Sequence, residues 1–207
     1  MFEALKIFLS VETDRKEKTE PILFEAFFGL EQAEGEGIKE AVVIKVDPEK
    51  NFFIRGKIDR IDRLEKNKYR VIDYKTGRYS QFENLDCFGG GKILQHALYA
   101  VAAEQVIKKV GLDSSPQVIQ SGYYFPTQKG EGHEIIVGQF SRERLGELLR
   151  EILSILSSGN FVINPDAKCI YCDFTPICGK GALDLAKEKR DANPDMFEIF
   201  KKLKEYD

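Results

Sequence analysis

A chain of 207 residues, 43% hydrophobic and 31% charged, has the size and balance of one globular domain with room for a small appendage. No apolar run approaches the roughly 18 residues of a membrane span. Glu3 and Lys6 interrupt the apolar start and no small-residue cleavage site follows, so the expectation is a cytoplasmic protein without a signal peptide. The net charge of −3 argues against tight, free-standing nucleic-acid binding, because neutralising phosphates with a basic surface supplies much of that affinity.

Residues 1–20 read as a helix remnant and linker, ending in a charged run. Pro21 to Leu30 and Ala41 to Val46 read as strands, with a Gly/Glu-rich turn between them. Phe52 to Leu64 and Tyr69 to Tyr74 read as a hairpin turning in residues 65–68. Thr76 to Gly91, with glycines at 89–91, reads as a mobile loop. A helix is expected from about Lys92 to Val110, where Leu94, Leu98 and Val101 recur at helical spacing before Gly111. Gln117 to Phe125 and His133 to Phe140 read as two more strands. Ser141 caps a helix to Ser158, and Pro194 opens a last one through Met196, Phe197, Phe200 and Leu203. Strands and helices in this order predict an α/β domain with a central mixed sheet flanked by helices.

The chemistry concentrates in Gly56-Lys-Ile-Asp59-Arg60-Ile-Asp62-Arg63 and Val71-Ile-Asp73-Tyr74-Lys75-Thr-Gly77. Side chains alternate along a strand, so Asp73 and Lys75 share a face. An acid and an amine side by side are costly to bury unless paired or bound to metal. Phosphodiester hydrolysis accounts for them. Carboxylates supply hard oxygen ligands to a divalent ion, and an ammonium can position the attacking water. A second acid must come from the neighbouring strand. An odd hairpin loop aligns Asp59 with Asp73, whereas a two-residue loop presents Asp62, and sequence physics leaves this choice open.

These two segments resemble the nuclease domains of the RecB and AddB type within the PD-(D/E)xK superfamily, in which a Gly-x-Ile-Asp-Arg-x-Asp strand precedes Asp-Tyr-Lys-Thr-Gly. The resemblance spans roughly residues 20 to 180. It implies a restriction-endonuclease-like core and a Mg²⁺- or Mn²⁺-dependent deoxyribonuclease. Asp59 and Asp73 become metal ligands, with the Tyr74 main-chain carbonyl beside them, and Lys75 the catalytic lysine. Asp62 becomes an outer-face residue paired with Arg60 or Arg63. Gln95-His-Ala-Leu-Tyr99 matches the family's Gln-x-x-x-Tyr helix, whose i, i+4 spacing puts both residues on one face. Pro21-Ile-Leu-Phe-Glu25-Ala-Phe-Phe28-Gly29 matches an early strand and adds Glu25 as a further candidate ligand. Arg60, Arg78 and Lys92 are the expected DNA contacts. Standing alone, Asp73 and Lys75 would be read as a surface ion pair, and His96 and His133 as structural or exposed. The combination of motifs in order favours the nuclease.

Cys169, Cys172 and Cys178 form a Cys-x2-Cys-x5-Cys knuckle. In a chain without a secretion signal, such clustering points to metal rather than disulfides. In AddB-like proteins and CRISPR-associated nucleases the same spacing supplies three ligands to a 4Fe-4S cluster. The resemblance places the fourth cysteine, and a histidine metal ligand, upstream of the core, where this sequence has neither. The expected reading is a fragment of a longer protein with an incomplete cluster. Recruitment of Cys87, a zinc knuckle, or three free thiols are the alternatives. The expected division is 1–20 helix remnant and linker, 21–165 nuclease core, and 166–207 knuckle and last helix. The implied role is an exonuclease tethered to a helicase-like partner that feeds it single strands or ends of DNA in double-strand-break repair. A stand-alone CRISPR-associated exonuclease and a non-catalytic DNA-binding or structural module are the competing readings.

Overall fold

The computed structural model describes residues 2–206 other than 16, 49, 81, 84–86, 160–161, 165–166, 168 and 170–171. In chain order the elements are α1 (Phe2–Asp14), β1 (Glu20–Phe28), β2 (Gly37–Ile38), β3 (Val42–Lys45), β4 (Asn51–Ile54), β5 (Gly56–Glu65) and β6 (Lys68–Tyr74). Then follow α2 (Gln95–Lys109), β7 (Gln117–Phe125), β8 (His133–Val137), α3 (Arg142–Ser158), α4 (Thr175–Cys178), α5 (Ala182–Ala192) and α6 (Pro194–Leu203). Six strands form a mixed sheet in the order β2-β1-β5-β6-β7-β8, as expected. The β6–β7 pair is parallel, which demands a long crossover, and α2 supplies it.

Alternation along the strands sorts the two faces. Ile61, Val71 and Tyr69 point to the side of α2, whose fully buried Ala97, Ala100 and Ala103 let the helix sit close to the sheet. Arg60, Asp62, Arg70 and Tyr74 point to the opposite side, beneath α1. There Phe8 packs on the rings of Tyr74 and Tyr124, with centroids 6.2 and 5.9 Å away, and Glu12 grips Arg60. Residues 1–20 therefore include a helix that covers the sheet. The boundary expected between residues 165 and 166 lies outside the described residues.

The β5–β6 hairpin resolves the register. Its turn is the two-residue Lys66–Asn67, closed by the Glu65–Lys68 pair, with Asn67 at φ 60°. That loop alone would have presented Asp62. A bulge at Leu64 inserts one residue between the Arg63–Tyr69 and Glu65–Lys68 pairs and reverses the outcome. Arg60 then opposes Ile72, and the same register sets Asp59 opposite Asp73.

Several expectations are corrected. The single strand expected over Phe52–Leu64 breaks at Arg55, and β4 pairs with β3 in a separate two-stranded sheet. In the loop expected over Thr76 to Gly91, Phe88 is fully buried and Phe82 nearly so, while residues 81 and 84–86 lie outside the described residues. The helix α2 starts at Gln95 rather than Lys92: its first i→i−4 bond runs from the Leu98 N–H to the Leu94 carbonyl at 3.0 Å, while Lys92 and Ile93 belong to the preceding turn, their N–H groups donating to the carbonyls of Gly89 and Phe88. Ser141 caps α3 as expected, accepting from the Arg144 N–H at 3.1 Å. Helix α5 was not foreseen. Among the described residues no helix is long and apolar enough to cross a membrane.

Candidate active site

Asp59 on β5, Asp73 at the end of β6, Lys75 one step beyond and Gln95 at the head of α2 converge on the α2 side of the sheet. Asp73 is 4% exposed and Asp59 half-buried. The backbone N–H of Tyr74 donates to Asp59 Oδ2 at 2.7 Å, fixing one acid against the strand that carries the other. Gln95 Nε2 donates to Asp73 Oδ1 at 2.8 Å, and Lys75 Nζ donates to Gln95 Oε1 at 2.9 Å. Lys75 Nζ also lies 2.6 Å from Asp73 Oδ2, and 5.4 Å from the centroid of the Tyr123 ring. The Asp73 contact lacks hydrogen-bond geometry, so that buried oxygen has charge beside it and no hydrogen bond.

Burial raises the Asp59 pKa above the ordinary carboxylate value. The Tyr74 N–H opposes this, while the negative charges of Asp73 and Glu25 add to it. Asp59, whose negative charge burial and its acidic neighbours disfavour, sits in an environment that a divalent cation relieves. Glu25 opposes Asp59 in the β1–β5 register, so the three acids lie in line across three strands. It sits at φ 52°, its side chain is mostly exposed, and its carboxylate pairs with Lys57 at 3.2 Å. Among the described residues no three His, Cys, Asp or Glu side chains form a ready-made metal cage. Asp59 and Asp73 remain a pair. That suits Mg²⁺, which keeps most of its waters and takes one or two carboxylates.

Lys75 and Gln95 form one wall of a cleft of about 590 Å³ also lined by Phe82, Lys92, Ile93 and Tyr123. Lys92 thus reaches the site, and Arg78 is exposed two residues past Thr76. Tyr99, one turn beyond Gln95, packs edge-on to Phe28 with centroids 6.0 Å apart, beside Gly56 at the start of β5. Tyr123 and Phe82 were missed. Only the β6–β7 pairing, which sets Tyr123 beside Asp73, reveals the first, and no local motif marks the second.

Arg60, expected on DNA, is corrected: it is 2% exposed, on the far face, bound to Asp62 at 2.6 Å and Glu12 at 2.9 Å. Asp62 does pair with Arg60, but it is fully buried under α1 rather than outward, and it also binds Arg70 at 2.7 Å. His96 is structural: it is buried between Ser121 Oγ at 3.0 Å and the Cys87 carbonyl at 2.6 Å.

Cys169, Cys172 and Cys178 line one cleft next to the start of α5. Cys87 is absent from that cleft and packs against the main core instead. Among the described residues these three thiols have no fourth cysteine in their cleft and form no metal cage, so they do not fit a complete four-cysteine cluster.

The profile of the PD-(D/E)XK nuclease superfamily matches residues 2–179. No curated protein matches the chain.

Proposed function

Because the chain belongs to the PD-(D/E)XK nuclease superfamily, we propose that it is a Mg²⁺- or Mn²⁺-dependent deoxyribonuclease of the RecB/AddB type, working as an exonuclease on single strands or ends of DNA. The observation that carries this reading is the buried Asp73 carboxylate beside Asp59 on the adjacent strand, with the Lys75 ammonium 2.6 Å from its Oδ2. Asp59 and Asp73 would hold the ion, with the Tyr74 carbonyl as a third ligand, and the bound ion would lower the pKa of water and offset charge on the phosphate.

The chain's own residues supply the rest. Gln95 orients Asp73 and holds Lys75 at the same point. Lys75 offers an ammonium to position the attacking water and to stabilise the extra negative charge of the transition state. Lys92, which lines the cleft beside Lys75, and the exposed Arg78 would meet neighbouring phosphates. With a net charge of −3 the chain relies on a tether rather than intrinsic affinity, which fits a cytoplasmic helicase-like partner delivering DNA during break repair.

Comparing wild type, Asp73→Ala and Lys75→Ala on linear single-stranded DNA with Mn²⁺ tests the reading. Digestion by wild type and a loss of at least about 100-fold in both variants are expected. Equal digestion by all three overturns it.

A further inference from the structure

Next to the catalytic cleft lies a second pocket of about 180 Å³, walled by Phe197, Phe200 and Leu203 of α6 and by Gly90, Gly91 and Lys92 of the glycine turn. Lys92 lines both spaces, so the two lie on either side of one lysine. The pocket is apolar with polar groups at its margin, Lys204 and Asn164.

Its construction is specific. Gly91 adopts φ 74°, a left-handed backbone that favours glycine, and so sets the turn against which Leu203 packs. The Gly90 N–H donates to the Tyr206 carbonyl at 3.0 Å, and Arg144 Nη2 donates to the Glu205 carbonyl at 3.0 Å, tying down the chain just after α6. Phe197 is buried and fixes the floor, with the Phe200 ring 6.2 Å away and only partly covered. All of α6 lies beyond the residues that match the superfamily.

We propose that this pocket receives one unpaired nucleobase of a single-stranded DNA substrate, with the adjoining phosphate on Lys92 and the strand continuing into the catalytic cleft. The inference rests on the nuclease reading and deepens it. The apolar walls and the partly open Phe200 ring suit a base face, which stacks without regard to sequence. Lys92 and Lys204 complement the backbone charge on either side. A base can enter only when it is out of the duplex stack, so the pocket selects single strands over paired DNA.

The test uses full-length Asp73→Ala protein and fluorescein-labelled oligothymidylate of about a dozen nucleotides, long enough to span an ordinary single-strand site. Anisotropy gives Kd for the intact strand, for the duplex, and for strands with one abasic site moved stepwise along them. One abasic position is expected to weaken binding by about 5- to 150-fold, and Phe200→Leu to weaken intact-strand binding while erasing that positional effect. A flat abasic scan, duplex binding as tight as single-strand binding, or a positional effect unchanged in folded Phe200→Leu would each overturn the pocket. The abasic scan alters only the DNA and so decides the matter even if the variant fails to fold. Failure of the nuclease reading is separate: it shows as undiminished cutting by Asp73→Ala.

Discussion

Gln95 Nε2 donates to Asp73 Oδ1 across 2.8 Å, and this bond ties the first residue of α2 to the end of β6. Because Gln95 Oε1 accepts from Lys75, one amide sets the spacing between the acid and the amine. Partners of this kind, one step removed from the reacting atoms, typically contribute 10- to 100-fold.

Gln95→Ala should therefore lower kcat on single-stranded DNA by roughly 10- to 100-fold with little change in folding. Gln95→Glu keeps an acceptor for Lys75 but places a carboxylate against Asp73, and should fall at least as far. Steady-state kinetics with thermal unfolding as a control separates these outcomes from simple loss of structure. Activity of Gln95→Ala within twofold of wild type would remove the amide from the mechanism.

Asp59 supplies a pH prediction. Its carboxyl titrates above the ordinary value of 3.8 because burial and the charges of Asp73 and Glu25 disfavour the ionised form. The folded state then holds its proton more tightly than the unfolded chain. Stability from this group is highest below the unfolded pKa and declines as pH rises from there through the folded pKa. Metal-free Asp59→Asn should melt above wild type at neutral pH and differ little in acid. Mg²⁺ should raise the wild-type Tm at neutral pH and leave Asp59→Asn nearly unmoved, because a ligand that binds only the folded state stabilises it. An Asp59→Asn Tm at or below wild type at neutral pH would contradict the assigned strain.

The bulge at Leu64 makes a third prediction. Deleting Leu64 leaves the two-residue turn intact and slips β5 by one residue against β6, which flips every side chain beyond it. Asp59 would leave the site, and Asp62 and Arg60 would turn toward α2. Activity should vanish, and the protein should lose cooperative unfolding followed by near-ultraviolet circular dichroism. Replacing Leu64 by Ala keeps the residue count, so it should retain the register and most of the activity. Equal activity after deletion would show that another feature sets the register.

The motifs were legible because they are local. Asp73 and Lys75 alternate along one strand, and Gln95 and Tyr99 are four apart on one helix. Gln117 to Phe125 and Ser141 to Ser158 read correctly for the same reason: an apolar run, or a cap followed by a periodic stripe, declares itself within a dozen residues. What eluded the sequence was set by distant partners. The Leu64 bulge has no composition of its own, so the choice between Asp59 and Asp62 rested on resemblance. Tyr123 reaches Lys75 only through parallel pairing across α2. Arg60 looked like a surface cation because nothing nearby in sequence announces that Glu12, 48 residues upstream, lies over it.

Arg60 leads to the last prediction. It is 2% exposed between Asp62, which is fully buried, and Glu12 at the edge of α1. Arg70 completes the cluster from β6. Removing Arg60 strips Asp62 of one of its two guanidinium partners and releases α1 from the sheet. Breaking a buried pair from one side typically costs about 3–5 kcal/mol, because the remaining charge stays desolvated. Arg60→Ala should therefore be strongly destabilised in urea, whereas Glu12→Gln, at the solvent edge, should lose only about 1 kcal/mol. Protease cleavage within residues 2–14 should rise in both variants, more steeply in Arg60→Ala. If Arg60 instead contacted DNA, Arg60→Ala would weaken DNA binding while leaving the urea midpoint unchanged, and that pattern would refute the buried role.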